Sequence, residues 1–237
     1  MNKIEVKILN QSAVYEAEKN MIFAARLTQR GNKIHSMKDL MNLYERDFTK
    51  ENIENISQLP HPTVQKLAVI TVAIVGSSRR FLSQITRHQN EVKYISASLQ
   101  YSNYSGITDF AVPYEILTGT KNAQKLYLES CHADMDCYER LCRMEIGHDT
   151  AGYSTPQSLR NVLIISATPY QWKHMIGQRT CRRNTDEMRI VMLKIWKELY
   201  ELNGMVTNGI IRISNIHVAT QNRNFYTVVF EVFSNLV

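Results

Sequence analysis

Apolar and polar positions along this chain follow two periods, and the switch between them marks out helices and strands. Residues 3–9 alternate as a short opening strand. Residues 13–29 place Val14, Ala17, Met21, Ala24 and Ala25 on one side of a helix that Gly31 stops. A weaker helix is expected over 40–48, and Pro60 and Pro62 mark a turn around His61. Residues 67–75 (LAVITVAIV) are short, rich in Val and Ile and bounded by Gly76, which predicts a buried strand. Ser78 is placed to cap a helix running to about His88. Residues 90–108 are polar, rich in Tyr and Ser, and read as a loop.

Helical spacing resumes after Pro113 and continues through 122–145. Residues 161–167 (NVLIISA) predict a second buried strand. Thr168-Pro169 then supplies an N-cap and a proline at the first helical position, opening a helix with Trp172, Met175 and Ile176. A third long helix spans about 185–202, with a stripe of Met188, Met192, Ile195, Leu199 and Leu202 ended by Gly204. Residues 205–216 and 225–233 alternate well enough for a closing β-hairpin turned by Asn222 to Asn224. The interspersed elements predict an α/β (α+β) class, a mixed sheet flanked by helices. One domain is expected over 1–204, with 205–237 a β extension of it.

Composition narrows this picture. At 237 residues, 44% hydrophobic and 21% charged, the chain falls outside the disordered and collagen-like classes. It carries no apolar run of membrane-spanning length and no signal-peptide core, so cytoplasmic residence is expected and no membrane partner. Lys+Arg 28 against Asp+Glu 22 gives a formal +6, which favours anionic partners such as nucleotides and cofactor phosphates. Cys131, Cys137, Cys142 and Cys181 form no C-x-x-C pair and read as reduced thiols.

Three polar clusters interrupt the apolar pattern: His61-Pro62-Thr63, Gln84 to Glu91 leading into Ser98 to Ser102, and Arg179 to Arg189. Each alone has an ordinary explanation. A Pro-flanked His suits a surface turn, an Arg-His pair complements a helix C-terminus, and Glu187 suits a first helical turn. Together they gather Arg, His, hydroxyl and amide groups at strand and helix ends, where phosphate oxygens are bound. No Walker loop, H-E-x-x-H, G-x-G-x-x-G or Ser-His-Asp order is present, and Ser98 has no base partner in sequence. The histidines lack metal spacing.

On these residues the chain resembles the flavin-dependent thymidylate synthases, the ThyX family. That family carries Q-x-x-R-H-R, a short gap, then S-x-R-Y-S; here stand Gln84-x-x-Arg87-His88-Gln89 and Ser98-Leu99-Gln100-Tyr101-Ser102. Its G-H-x-S/T before a strand corresponds to Pro60-His61-Pro62-Thr63. Its L-R followed by A-Q-W-E-I-R corresponds to Gln178-Arg179 and then Asn184-Thr185-Asp186-Glu187-Met188-Arg189. The order holds from about Val6 to Leu202, in a divergent member.

The resemblance implies a ThyX-like fold and a homotetramer with active sites shared between subunits. It implies FAD as cofactor, NADPH and methylenetetrahydrofolate as co-substrates, and methylation of dUMP to dTMP. Arg87, His88 and Gln89 would contact FAD, with His61, Thr63 and Arg183 beside it. Gln84, Ser98, Gln100 and Tyr101 would face the nucleotide. Arg179 would hold the pyrimidine and stabilise developing charge. Glu187 and Arg189 would support a helix start. The chain departs from the pattern at Gln89 and Gln100, each in place of Arg, and at Gly152, where a second nucleotide-binding Arg is expected. Two other readings therefore stand: a flavoenzyme of this fold acting on another pyrimidine nucleotide or nucleoside, and a non-catalytic nucleotide- or RNA-binding relative.

Overall fold

The structure is a computed structural model that describes residues 4–57, 59 and 62–202. His61 and the expected hairpin over 205–237 lie outside the described residues, as does the 204/205 boundary.

Four strands form one sheet: β1 (Glu5–Ile8), β2 (Ile70–Ser78), β3 (Val92–Ser96) and β4 (Arg160–Ala167), in the order β1-β2-β4-β3. Every pairing among them is antiparallel, with Ile70 opposite Ala167 and Val92 opposite the same Ala167. The nine helices among the described residues are α1 (Ser12–Arg30), α2 (Met37–Tyr44), α3 (Lys50–Ser57), α4 (Arg79–Ile85), α5 (Tyr114–Leu117), α6 (Lys121–Arg143), α7 (His148–Ala151), α8 (Pro169–Arg179) and α9 (Asp186–Leu202). The expected α/β (α+β) class, a sheet flanked by helices, is the one observed.

Period-2 patterning puts Ile70, Val72 and Ile74 of β2 beside Leu163, Ile165 and Ala167 of β4, all buried on one face. Val14, Met21 and Ile22 of α1, Trp172, Met175 and Ile176 of α8, and the α9 stripe cover that face. Trp172 is fully buried because its indole N–H donates to Ile70 O at 3.0 Å. On the other face Val75, Val162 and Ile95 are exposed. A smaller core of Phe110, Cys131, Met135, Tyr138, Ala151 and Leu159 joins α6 and α7 to the β4 entrance.

Two expectations are corrected, and one helix was not foreseen. The strand expected to stop at Gly76 continues to Ser78 through a bulge between Val75 and Ser77. Gly76 sits at φ 85°, where a Cβ is disfavoured, so glycine permits the bulge rather than ending the strand. The loop expected over 90–108 contains β3, an edge strand whose Lys93 and Ser96 hid its alternation. α3 was missed because only Ile53 and Ile56 mark its buried side.

Candidate functional site

Ser78 ends β2 in an extended conformation and caps α4, its hydroxyl accepting from Phe81 N at 3.0 Å. The helix is only seven residues long. It delivers Gln84 near its end, and Arg87 and His88 just beyond. His88 is held by its own backbone, with N donating to Ile85 O at 3.1 Å. The Tyr94 hydroxyl lies 2.7 Å from His88 O and 2.8 Å from Ile85 O, tying the turn to β3.

Thr168 caps α8, its hydroxyl accepting from Gln171 N at 3.3 Å, and that helix ends at Arg179. The Arg179 guanidinium joins two of the sequence clusters. Its Nε donates to His88 Nε2 at 2.8 Å, Nη2 to Gln84 O at 3.1 Å and Nη1 to Asn184 Oδ1 at 3.3 Å. A guanidinium only donates, so the His88 Nε2 it meets carries no proton, and neutral His88 is protonated at Nδ1. Burial first, then the nearby Arg179 and His174, push the His88 pKa down to about 4. The His174 ring meets that of His88 edge to face, centroids 5.9 Å apart. Thr185 Oγ1 donates to Gln84 Oε1 at 3.3 Å, a second link between the clusters.

The remaining cluster is tied in through an ion pair. Lys66, on the 3-10 turn Pro62–Lys66 that carries Thr63, lies 2.7 Å from Glu91 Oε1. Glu91 Oε2 accepts from Thr168 Oγ1 at 3.0 Å. The bond to Lys66 is the main cause that lowers the Glu91 pKa.

Gln84, His88 and Arg179 are thus brought together. Thr63, Arg87, Gln89 and Arg183 are exposed, and among the described residues their side chains make no hydrogen bond or ion pair. Ser98, Gln100 and Tyr101 form a separate group. The Ser98 hydroxyl accepts from Gln100 N at 3.1 Å and Tyr101 N at 3.3 Å, while Gln100 and Tyr101 are exposed. Leu99 packs on the smaller core, 3.4 Å from where a Cβ on Gly152 would stand. Among the described residues no hydrogen bond joins this group to Gln84, His88 or Arg179.

Beside the Arg179 cluster opens a cleft of about 1060 Å³, its wall including Ser78, Arg80, Arg160, Asn184, Thr185 and Glu187. Arg160 Nε donates to Asp109 at 2.7 Å and Nη1 to Gly76 O at 2.8 Å, which roots the cleft in the β2 bulge. Sequence reasoning missed this cleft and the reach of Glu187 across to α4. That residue lies in the first turn of α9, as expected, and it also supports the start of α4. Glu187 Oε1 accepts from Ser78 N at 2.7 Å and Oε2 from Ser78 Oγ at 2.6 Å. Burial raises its pKa, against the lowering effect of those bonds and of Arg160 and Arg80. The sequence signal for the contact was weak: a serine cap and a distant first-turn glutamate.

Comparison with known proteins bears on what such a site does. The family described as "Thymidylate synthase complementing protein" (Thy1) matches residues 9–203. A flavin-dependent thymidylate synthase from Thermococcus onnurineus is 27% identical over 145 residues, 60% of this chain and 57% of that protein. Another from Pyrococcus abyssi is 23% identical over 155 residues, 65% of this chain and 63% of that protein. The chain therefore spans less than two thirds of the length of these relatives. Among solved structures, a UMP/dUMP methylase, PolB from Streptomyces cacaoi, bound with 5-Br dUMP, superposes with a TM-score of 0.67. It is 14% identical, with 90% of this chain and 96% of that one covered, a likeness of fold.

Proposed function

The chain belongs to the thymidylate synthase complementing protein family (Thy1), and from that premise we propose that it is an FAD-dependent methyltransferase acting on a pyrimidine nucleotide. The finer reading is dUMP to dTMP, with methylenetetrahydrofolate as one-carbon donor and NADPH as reductant. One observation carries the proposal. A guanidinium has five N–H donors; three of those on Arg179 are bound to His88, Gln84 and Asn184, which leaves two directed by a fixed frame. Two fixed donors suit a pyrimidine carbonyl oxygen, on which negative charge builds as the ring is attacked.

The residues fit a dinucleotide flavin. Arg87 and Arg183 are exposed cations at the edge of the cluster, suited to a diphosphate, and His88 is a neutral ring held by a hydrogen bond. Arg87, His88 and Gln89 would hold the flavin, with Thr63 and Arg183 beside it and His61 completing the set. When bound, FAD supplies the hydride-carrying chemistry that no side chain here offers. The chain's own part is to bind, orient and polarise. Gln84 and Arg179 face the base, and burial keeps His88 neutral so that it accepts from Arg179 instead of repelling it.

Ser98, Gln100 and Tyr101 are the remaining substrate-binding residues of this reading. Their separation from Arg179 within one chain supports a site completed by a second copy, in a homotetramer. A second substrate assignment has its own observation. The Ser98 group presents neutral donors only, with Gln100 exposed and Gly152 packed by Leu99, so a differently phosphorylated pyrimidine or a nucleoside is the alternative.

The test is incubation with FAD, NADPH, methylenetetrahydrofolate and, separately, dUMP, UMP, dCMP and uridine, with mass spectrometry of the base. Methylated product from dUMP supports the finer reading, and product from another pyrimidine alone supports the alternative. Protein that stays colourless with FAD and forms no product opposes both.

A further inference from the structure

A single stretch far from α4 in sequence grips that helix at both ends. At its start Glu187 accepts from Ser78 N and Ser78 Oγ. At its end Arg179 donates to Gln84 O and His88 Nε2. Both grips come from one stretch, residues 179–187. A first-turn glutamate that served only its own helix would accept from the N–H groups there, but Thr185 takes that part, with Met188 N donating to its hydroxyl at 3.4 Å. Glu187 turns away and reaches across to another element. Its carboxyl is mostly buried beside the cleft, where a hydrogen-bonded acid holds its partner far more firmly than an exposed one.

We propose that Glu187 is a positioning residue for the Gln84–His88–Arg179 group: through Ser78 it sets the tilt of α4 against residues 179–187, and so the approach of His88 to Arg179. The lever is short. Seven residues at about 1.5 Å each make α4 roughly 10 Å long, so a tilt of about 6° moves its far end by about 1 Å. A misplacement of about 1 Å is enough to slow a positioned reaction by ~100-fold.

The test compares Glu187→Leu with Glu187→Gln, reading kcat, KM for the nucleotide, flavin affinity and the NMR titration of the His88 ring. The kinetic readings rest on the methyltransferase assignment; the titration does not. For Glu187→Leu we expect kcat lower by ~100-fold and flavin affinity within about threefold of the parent. The His88 pKa should rise from about 4 toward 6.5 as the Arg179 contact loosens. Glu187→Gln keeps both contacts, its carbonyl accepting from Ser78 N and its amide donating to Ser78 Oγ. It should stay within about threefold of the parent in kcat, with His88 unmoved.

A folded Glu187→Leu protein in which His88 titrates as in the parent overturns the proposal. So does a Glu187→Gln protein as slow as the leucine variant, since that result makes charge rather than position the need. If the leucine variant does not fold, Ser78→Ala removes one contact and should move His88 in the same direction by less; an unmoved His88 there also overturns it. A parent protein that transfers no methyl group defeats the methyltransferase assignment alone, and the titration still decides the role of Glu187.

Discussion

Replacing Arg179 with Met keeps most of the side-chain volume and removes the guanidinium, and the consequence depends on pH. At pH 7.5 the loss is three hydrogen bonds, to His88 Nε2, Gln84 O and Asn184 Oδ1. Each contributes about 0.5–1.5 kcal/mol net, and Arg179 is half-buried, so we expect a destabilisation of about 2 kcal/mol. In acid the comparison changes. His88 titrates at about 4 in the fold against 6.5 unperturbed, because burial disfavours its charge and Arg179 and His174 repel it. A base with a depressed folded pKa costs nothing above its unfolded value and weakens the fold as pH falls from 6.5 toward 4. At about 1.4 kcal/mol per pKa unit the full loss is bounded at about 3.5 kcal/mol. In the variant only the contributions of burial and His174 remain, and the hydrogen bond that protonation would destroy is already absent. The stability gap should therefore narrow as pH falls from 6.5 toward about 4.5. Urea unfolding of both proteins from pH 4.5 to 7.5 measures this directly. A gap that stays constant across the range refutes the coupling between Arg179 and His88.

Two further outcomes follow from buried groups. Glu18 is 1% exposed on α1, its Oε1 has no hydrogen-bond partner among the described residues, and burial pushes its pKa up to about 7. The unfolded chain releases this proton near 4.5, so stability falls as pH rises from there through 7. Glu18→Gln should lie close to the parent near pH 5 and exceed it by about 2–3 kcal/mol at pH 8 in chemical denaturation; equal curves at both pH values contradict this. Gly76→Ala places a Cβ at φ 85° in the β2 bulge and should cost about 1–2 kcal/mol in thermal unfolding, while a neutral result contradicts the need for glycine there.

Much of the fold was legible because its determinants are local. Thr168-Pro169 announces the start of α8, Ser78 caps α4, and runs such as NVLIISA are too short and too β-branched for anything but a buried strand. What escaped was set by partners rather than neighbours. β3 is a strand because β4 offers it a ladder from Val92–Ala167 to Ser96–Leu163, and an edge position tolerates Lys93 and Ser96. Gly76 reads as a stop until the bulge opposite β4 is seen. The site divides in the same way. The family resemblance assigned Gln84, His88 and Arg179 to one active site, although 91 residues separate Arg179 from His88. It could not foresee that Glu187 reaches 109 residues back to Ser78. Such contacts are written in the packing of α4 against residues 179–187, which no local pattern encodes.

The most direct measurement is methyl transfer by the parent and by Arg179→Ala, each first titrated with FAD. The parent should turn yellow and convert a pyrimidine nucleotide to its methylated product. Arg179→Ala should take up FAD as the parent does and form no product. A parent that binds FAD and transfers no methyl group to any pyrimidine, or an Arg179→Ala protein with full turnover, contradicts the account.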